Sequence, residues 1–355
     1  MFAFPPKMGI INMNKINDLF DFEHSVPFTD LHLKSDPRTG LQAIVAIHST
    51  KLGPALGGCR FIEYPDTDAA IIDALRLARG MSYKAAISGL AYGGGKSVVI
   101  KPKRVFDRRA LFKAFGAFVD ELGGRYIAAK DSGTVLEDMD IIASKTPYVA
   151  STSSMSDPSP FTAHGICRGI EAAAKFQLGK DSLEGLRVAI QGLGYVGHFL
   201  AKELYERGAI LTVCDLNPQA TAACEKEFNA TVVPIDAIYD VDCDIFSPCA
   251  LGAILNDDTI PRIKASIVAG GANNQLAEDR HGEMLKNKGI LYAPDYVINA
   301  GGLIQATIMY EKGSDAIAKE KIHNLYIELL GIFERAAKLH LPTNLVADHI
   351  AEERL

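Results

Sequence analysis

The chain has 355 residues, of which 48% are hydrophobic and 23% are charged, and its formal net charge is -6 at pH 7. This length suits two domains, and the acidic balance gives no electrostatic footprint for a nucleic-acid partner. No apolar run approaches the roughly 18 residues that span a bilayer, and residues 1–15 lack the charge order of a signal peptide. We therefore expect a cytoplasmic protein with no nucleic-acid or membrane partner.

The six cysteines are scattered, without a CxxC pair or a histidine at ligand spacing. This pattern predicts neither a metal site nor a disulfide framework, and it favours a reducing compartment.

The first part of the chain alternates between strand and helix patterns. Residues 43–47 and 97–100 have the composition of short buried strands, and residues 66–83 carry apolar side chains at helical spacing. The polar, proline-bearing stretch 151–160 follows and is the best candidate for a domain boundary. We predict a substrate-binding and catalytic α/β domain over residues 1–150.

The second part begins with a sharper pattern. From residue 187 the sequence predicts a strand, a glycine turn, an amphipathic helix and a second strand. Further short strands are predicted at Val232, Ile245, Ile267 and Leu291. This order predicts a Rossmann-type, doubly wound parallel sheet over residues 151–319. One or two amphipathic helices follow, and we expect residues 320–355 to pack back onto the first domain.

The glycine turn has the GxGxxG form of a dinucleotide site. It lies directly between a strand and a helix, and Asp215 closes the next strand. The glycines allow a tight turn and a close approach of the pyrophosphate to the helix N-terminus. The acidic residue favours ribose hydroxyls over a 2'-phosphate, which predicts NAD as the cofactor; the alternative is a glycine-rich turn that binds nothing. The predicted cofactor contacts here are Gly192, Leu193, Gly194, Tyr195, Val196, Gly197 and Asp215.

Two lysines stand twelve positions apart in the first domain. Lys84 ends the predicted helix, and Lys96 follows the three glycines 93–95 just before a strand. Surface exposure is the ordinary fate of a lysine. A phosphate-binding P-loop is excluded, because Leu90 occupies the position of its leading glycine and a strand follows where a helix is needed.

Nearly the whole chain resembles the leucine, valine and phenylalanine dehydrogenases, which are relatives of the glutamate dehydrogenases. The resemblance rests on the stretches LGPALGGCR (52–60), RGMSYKAA through GGGKSVVI (79–100), AAKDSGT (128–134), the GLGYVG turn, FSPCALGAILN (246–256), GGANNQL (270–276) and PDYVINAGGLI (294–304). It implies a two-domain enzyme with its active site in the cleft between the domains, acting on the amino group of an apolar L-amino acid.

The resemblance also implies roles for single residues. Lys84 would bind the substrate carboxylate as a fixed cation, Lys96 would be the catalytic base, and Asp131 would assist proton transfer. A base that works near neutral pH needs an amine of lowered pKa, which burial and a neighbouring cation would supply. The glycines 93–95 would leave room for substrate beside that amine.

The implied reaction is a reversible oxidative deamination. A hydride passes from the amino-acid Cα to the nicotinamide, water activated by Lys96 attacks the resulting imine, and ammonia leaves while Asp131 moves protons. The same resemblance places further residues in the site. Predicted substrate contacts are Gly57, Gly58, Met81, Leu52, Ala129, Asn273, Leu303 and Ala306, and predicted cofactor contacts beyond the turn are Thr162, Asn273 and Asn299.

The pocket residues limit the substrate to an apolar amino acid. The glutamate-specific relatives hold the side-chain carboxylate with a lysine and a serine, where this chain has Leu52 and Ala306. An apolar pair cannot compensate for burying a carboxylate. Ala129 resembles the leucine enzymes, whereas Leu303 and the two residues after it resemble the phenylalanine and tryptophan enzymes. We favour a branched-chain substrate, and an aromatic amino acid is the alternative.

Two other interpretations differ more widely. A catalytically silent NAD-binding regulator would have to lack Lys84, Lys96 or Asp131, and all three are present. A quinate or alanine dehydrogenase rests on fold analogy alone, and the second lysine and the VINAGG segment count against it. The resemblance also implies a symmetric homo-oligomer.

Overall fold

The computed structural model describes residues 27–250 and 252–355. The prediction that residues 1–15 are not a signal peptide concerns residues outside this part of the chain. The chain divides into two compact units. The first runs to Ser82 and includes Ala91–Ser153, and the second comprises Tyr83–Leu90 and Ser154–Leu355. The division after Ser153 falls within the polar stretch 151–160 that the sequence marks as a boundary.

The first unit is built on a five-stranded mixed sheet. Its strands are β1 Asp30–Asp36, β2 Leu41–Ser49, β3 Ala55–Ile62, β4 Gly93–Ile100 and β5 Tyr126–Lys130. Their order across the sheet is β1-β2-β4-β3-β5. β2 is antiparallel to both of its neighbours, and β3 is parallel to both of its own.

Helices cover both faces of this sheet. They are α1 Thr67–Ile87, α2 Arg108–Glu121 and α3 Leu136–Ala143. In β2, Val45 packs in the cluster that contains Phe112 of α2, whereas the adjacent Ile44 packs in the cluster that contains Leu75 of α1. Because successive side chains point to opposite faces, a strand that is buried on both sides is apolar throughout. This explains the continuous AIVAI run.

The second unit is a doubly wound parallel sheet, which confirms the predicted α/β fold. Its strands are β6 Arg187–Gln191, β7 Ile210–Cys214, β8 Thr231–Val232, β9 Ile245–Pro248, β10 Ile267–Val268 and β11 Leu291–Tyr292. The strands lie in the order β11-β10-β9-β6-β7-β8, so successive strands of the chain are added on one side of β6 and then on the other. This is the strand order of a dinucleotide-binding fold.

The helices of this unit surround the sheet. They are α4 Ser159–Ala173, α5 Tyr195–Glu206, α6 Pro218–Phe228, α7 Arg280–Asn287, α8 Asp295–Ile298, α9 Gly301–Tyr310, α10 Asp315–His323, α11 Leu325–Leu339 and α12 Thr343–Arg354. Among the described residues, no helix is both long enough and apolar enough to cross a membrane.

The C-terminal helices α10, α11 and α12 are grouped with the second unit. The sequence predicts that they pack on residues 1–150, and one such contact lies at the end of α1, where Arg354 of α12 donates to the Ala86 and Ile87 carbonyls. Phe333 of α11 and Val346 of α12 lie in the same buried cluster as Ile190 of β6. An amphipathic pattern shows that a helix buries one face, but it does not show which neighbour covers that face. Here the layer beside the Rossmann sheet covers it.

Candidate active site

Lys96 and Asp131, the two predicted catalytic residues, contact each other in the first unit. Nζ of Lys96 lies 2.6 Å from Oδ2 of Asp131. Lys96 stands in the middle of β4 and is only 5% exposed, and Asp131 directly follows β5. The two strands flank β3, so the sheet brings together an amine and a carboxylate that are 35 positions apart in the chain.

A tight turn fixes the Asp131 backbone. The Thr134 hydroxyl accepts a hydrogen bond from the Asp131 N–H at 2.9 Å and donates one to the Asp131 carbonyl at 2.8 Å. Gly133 lies between them at φ +82°, and a Cβ at this position would approach the Phe61 carbonyl oxygen to 1.8 Å. Only glycine fits this conformation and this contact. The spacing of the DSGT segment is therefore explained by the turn.

The glycine pair of β3 lies beside these two side chains. A Cβ at Gly58 would lie 2.6 Å from the Asp131 Cβ and 3.1 Å from the Lys96 Nζ. A Cβ at Gly57 would instead meet the Gly95 carbonyl oxygen at 1.6 Å. Gly58 thus borders the predicted catalytic pair directly, and Gly57 allows β3 and β4 to approach each other.

The glycines before Lys96 have a different role from the one expected. They belong to β4 itself, and the protein fills the space around them. A Cβ at Gly94 would lie 2.0 Å from the Ser82 nitrogen of α1, and a Cβ at Gly95 would lie 2.8 Å from the Tyr126 ring. The expectation that these glycines leave room for substrate is wrong: they let a helix and a buried ring pack against the strand.

Arg60 and Asp73 complete the charged cluster, and the sequence analysis gave neither a role. Nε of Arg60 donates to Oδ2 of Asp131 at 3.2 Å, and Nη1 donates to Oδ2 of Asp73 at 2.8 Å. Arg60 ends the LGGCR stretch, so its position two residues after Gly58 was a signal in the sequence. Asp73 is one of two acidic residues on α1 and carried no such signal.

The cluster shifts the pKa values of both predicted catalytic groups. Burial lowers the pKa of the Lys96 amine and outweighs the opposite effect of Asp131, and Arg60 lowers it further. Burial alone would raise the pKa of Asp131, but Lys96 and Arg60 together bring it below its ordinary value. The expected neighbouring cation is therefore present, and it is Arg60.

Lys84 belongs to the last turn of α1, which is counted with the second unit. It is half-buried and is an electrostatic neighbour of Asp295, the first residue of α8. Burial raises the pKa of Asp295, and the charge of Lys84 opposes that rise. Oδ2 of Asp295 also accepts the N–H of Gln275 at 3.0 Å. Asp295 is a second carboxylate to which the sequence analysis gave no role.

Three other predicted substrate residues lie in the first unit. Ala129 is buried on β5, where it is the register partner of Gly58 on β3. Leu52 is half-buried just before β3, and Met81 is half-buried on α1. Ala129 is thus a direct neighbour of a residue that borders the Lys96 and Asp131 pair.

The glycine turn of the second unit has the shape of a pyrophosphate site. Gly192 adopts φ +96°, and a Cβ at Gly197 would lie 2.0 Å from the Gly192 carbonyl oxygen. At Gly194, in contrast, a Cβ would meet nothing within 4 Å. Gly194 also begins α5 without a side-chain cap. The first N–H groups of the helix and the open space beside them suit a dinucleotide phosphate.

Asp215 stands at the end of β7 and contacts the same turn. Oδ2 accepts the Leu193 N–H at 2.5 Å, and Oδ1 accepts the Asn217 N–H at 2.7 Å. A carboxylate has about four acceptor positions, so both oxygens can still accept from ribose hydroxyls. Tyr195 and Val196 open the helix, and Tyr195 is exposed.

The asparagines form a second polar group in this unit. Nδ2 of Asn299 donates to Oδ1 of Asn273 at 2.7 Å and to the Gly271 carbonyl at 3.2 Å. The buried Oδ1 of Asn299 has no hydrogen-bond partner within the described part of the chain. A buried acceptor of this kind needs a donor, which a cofactor hydroxyl or amide would supply.

The remaining predicted residues belong to α4 and α9. Thr162 is half-buried near the start of α4, and a Cβ at Gly302 would lie 2.5 Å from its Oγ1. On α9, Leu303 is half-buried and Ala306 is buried. Between them, Gln305 donates to the Ser156 hydroxyl at 2.8 Å and ties the helix to the segment before α4.

Two family models match the chain. One, described as the Glu/Leu/Phe/Val dehydrogenase dimerisation domain, matches residues 25–148. The other, described as Glutamate/Leucine/Phenylalanine/Valine dehydrogenase, matches residues 213–325.

Individual relatives match over most of their length. Leucine dehydrogenase of Thermoactinomyces intermedius is 50% identical over 341 residues, which cover 95% of this chain and 93% of the relative. Phenylalanine dehydrogenase of Caldalkalibacillus thermarum is 43% identical over 330 residues, which cover 90% and 89%. The crystal structure of L-tryptophan dehydrogenase from Nostoc punctiforme matches with a TM-score of 0.86 and 42% identity, covering 95% of this chain and 98% of that one.

Proposed function

Because this chain belongs to the glutamate, leucine, phenylalanine and valine dehydrogenase family, we propose that it oxidises a branched-chain L-amino acid with NAD, releasing the 2-keto acid and ammonia. That it is an amino-acid dehydrogenase with a nucleotide cofactor follows from the family and from its relatives. The choice of NAD, the substrate and the residue roles make up the proposal. The observation that carries it is the 2.6 Å contact between the buried Lys96 amine and Asp131.

Lys96 is suited to act as the general base. Its amine is buried, and burial lowers its pKa toward the working pH, which is what a base in this range needs. Asp131 is within hydrogen-bond distance and can pass a proton to or from that amine. A catalytically silent regulator would have no need to hold a buried amine and a carboxylate in this contact.

The reaction balances with one water. A bound dinucleotide would supply the hydride acceptor for the substrate Cα, so that a substrate amine that has already lost its extra proton becomes an imine. Lys96 takes a proton from the water that adds to the imine carbon, and a carbon–oxygen bond forms. Asp131 takes this proton from the Lys96 ammonium and delivers it to the nitrogen. Lys96 then takes the proton of the new hydroxyl group as the carbon–oxygen double bond forms, the carbon–nitrogen bond breaks and ammonia leaves. Lys84 holds the substrate carboxylate throughout, with its ammonium as the fixed cation.

The cofactor is held by the second unit. The open space at Gly194 and the first N–H groups of α5, which have no side-chain cap, favour a pyrophosphate. Asp215 would accept hydrogen bonds from ribose hydroxyls and repel a 2'-phosphate, which favours NAD over NADP. The Oδ1 of Asn299, which has no hydrogen-bond partner among the described residues, would accept a hydrogen bond from the nicotinamide half.

The predicted substrate residues favour an apolar side chain. Leu52 and Ala306 provide no charge to balance a second carboxylate, so we exclude glutamate. Ala129 beside Gly58 supports a branched-chain substrate, and the 50% identity to a leucine dehydrogenase agrees with this. Phenylalanine or tryptophan is the alternative, supported by Leu303 and by the relatives that act on those amino acids.

A homo-oligomer is part of the proposal. The model that matches residues 25–148 is described as a dimerisation domain. Light scattering of the purified chain would test this: a mass of one chain at micromolar concentration would contradict it.

The deciding experiment is NADH formation at alkaline pH with a panel of L-amino acids. Leucine, valine, isoleucine, phenylalanine, tryptophan, glutamate and alanine would each be tested with NAD and with NADP. We expect the highest kcat/KM for a branched-chain substrate with NAD. A lead for phenylalanine or tryptophan would move the assignment to the aromatic alternative, and activity with none of them would overturn the proposal.

A further inference from the structure

Arg60 links two carboxylates of the first unit, and one of them belongs to the proposed proton-transfer pair. Its Nε contacts Oδ2 of Asp131 at 3.2 Å, and its Nη1 contacts Oδ2 of Asp73 at 2.8 Å. The Asp131 oxygen is the same one that lies 2.6 Å from Nζ of Lys96. The Arg60 guanidinium and the Lys96 amine therefore contact the same oxygen of Asp131.

Asp73 is itself held in place. The Tyr64 hydroxyl donates to the same oxygen of Asp73 that accepts from Arg60. The side chains of Arg60, Asp73 and Asp131 are 21%, 28% and 23% exposed. Partly desolvated ion pairs are screened less than pairs on the surface. A planar guanidinium also fixes direction as well as charge, which a lysine ammonium does not.

We propose that Arg60, anchored by Asp73, is a positioning residue that fixes the Asp131 carboxylate against the Lys96 amine. This inference rests on the proposed function, because it concerns how the base of that reaction is held. Arg60 acts through Asp131 and not on the substrate itself.

The four charges alternate in sign, and they have opposite effects on the base. Burial is the largest influence on the pKa of Lys96 and lowers it. Among the charges, Asp131 raises that pKa, Arg60 lowers it and Asp73 raises it. Loss of Arg60 and loss of Asp73 should therefore move the pKa of Lys96 in opposite directions.

Other ionisable groups of this unit do not interfere with the comparison of the pH profiles of the Arg60 and Asp73 variants. Burial raises the pKa of the Cys59 thiol to about 12 and that of the Tyr126 hydroxyl well above its ordinary value, so both stay neutral at working pH. Asp138 forms an ion pair with Arg108. None of these groups changes in the variants below.

The test is the pH dependence of kcat/KM for oxidative deamination, measured with the best substrate of the panel. Arg60→Gln should lower kcat on the order of 100-fold, because a misplaced base loses its alignment. It should also move the rising limb of the profile up by about one pH unit. Asp73→Asn should move that limb down. Arg60→Lys keeps the charge but cannot reach both carboxylates, so it should lose kcat with the limb near its original position.

Arg262→Gln is the matched control, because Arg262 also joins two aspartates, Asp236 and Asp240, in the second unit. It should keep the kcat and the profile of the unmodified chain. If Arg60 has only a structural role, Arg60→Gln and Asp73→Asn should both lower the thermal stability. The rising limbs of their pH profiles should then not move in opposite directions.

The outcomes separate the two proposals. If the unmodified chain is active but Arg60→Gln and Asp73→Asn move the limb in the same direction, or keep kcat within about twofold, the positioning role is overturned and the proposed function stands. If the unmodified chain converts no amino acid in the panel, the proposed function fails and the inference fails with it. Should Arg60→Gln not fold, Arg60→Lys decides instead: a loss of kcat with an unmoved limb, while Asp73→Asn moves the limb to lower pH, supports the positioning role, and a kcat within about twofold of the unmodified chain overturns it.

Discussion

Oδ2 of Asp131 lies 2.6 Å from Nζ of Lys96, and the amine is almost completely buried. A buried charge that is paired on only one side is costly. Arg60 offsets this destabilisation, because its guanidinium donates a hydrogen bond to the same Asp131 oxygen. If the amine loses its proton, as the proposed base must, Asp131 keeps Arg60 as a cationic partner.

Replacement of the base should stop the chemistry without removing the cofactor. Lys96→Ala should lower kcat by about 10²–10⁴-fold, the usual contribution of general acid–base catalysis, while the Kd for NAD stays close to that of the unmodified chain. Lys101→Ala is the control, because this lysine directly follows the same strand and its side chain is 45% exposed. Turnover of Lys96→Ala equal to that of the unmodified chain would sink the mechanism.

A methyl group at Gly58 should act on the same pair through space. A Cβ there would lie 2.6 Å from the Asp131 Cβ and 3.1 Å from the Lys96 Nζ, so the contact between these two side chains has to change. We expect Gly58→Ala to lower kcat by on the order of 100-fold. Gly80→Ala on α1 is the control, since a Cβ at Gly80 meets nothing within 4 Å. Equal activity in the two variants would show that the contact does not matter.

The glycine turn offers a test that separates binding from folding. At Gly194 a Cβ would occupy open space, so Gly194→Ala should leave the melting temperature unchanged and raise the Kd for NAD at least about tenfold. At Gly197 a Cβ would lie 2.0 Å from the Gly192 carbonyl oxygen. Gly197→Ala should therefore destabilise the fold by about 1–3 kcal/mol. Calorimetry and NAD titration measure both effects, and unchanged affinity in Gly194→Ala would argue against phosphate binding at this turn.

The sequence predicts the dinucleotide fold well because its signals are local. Strand, turn and helix follow one another from residue 187, and Gly192 and Gly197 are required by the turn itself. The Lys96 and Asp131 pair is different, since no local pattern joins two residues on separate strands. It could be predicted only through the family resemblance.

The rest of the site depends on tertiary contacts that a pattern does not specify. The link from Arg60 to Asp73 joins a strand to a helix. Glycines can leave space or allow close packing, and the sequence does not tell these two uses apart. In Gly94 and Gly95 the structure shows close packing. The C-terminal helices show the same limit, because their apolar faces do not identify the neighbour that covers them.

We expect His48 to give the first unit a pH-dependent stability. It is half-buried on β2, with Nδ1 2.8 Å from the Ser82 hydroxyl. Burial, with a contribution from the charge of Arg79, lowers the pKa of His48 from 6.5 to about 4. Between these two values the unfolded chain binds a proton that the folded chain does not. Stability is therefore fully present above about pH 6.5 and falls as the pH decreases toward 4.

The chemical-denaturation midpoint between pH 7 and pH 4.5 measures this effect. His48→Gln retains a side chain that can bond to Ser82 but does not titrate, so we expect its midpoint to fall less over this range than that of the unmodified chain. His349→Gln on α12 is the matched control, and it should keep the original dependence. If His48→Gln and the unmodified chain lose stability in parallel as the pH falls, then His48 is not the group responsible, and the carboxylates alone account for the acid sensitivity.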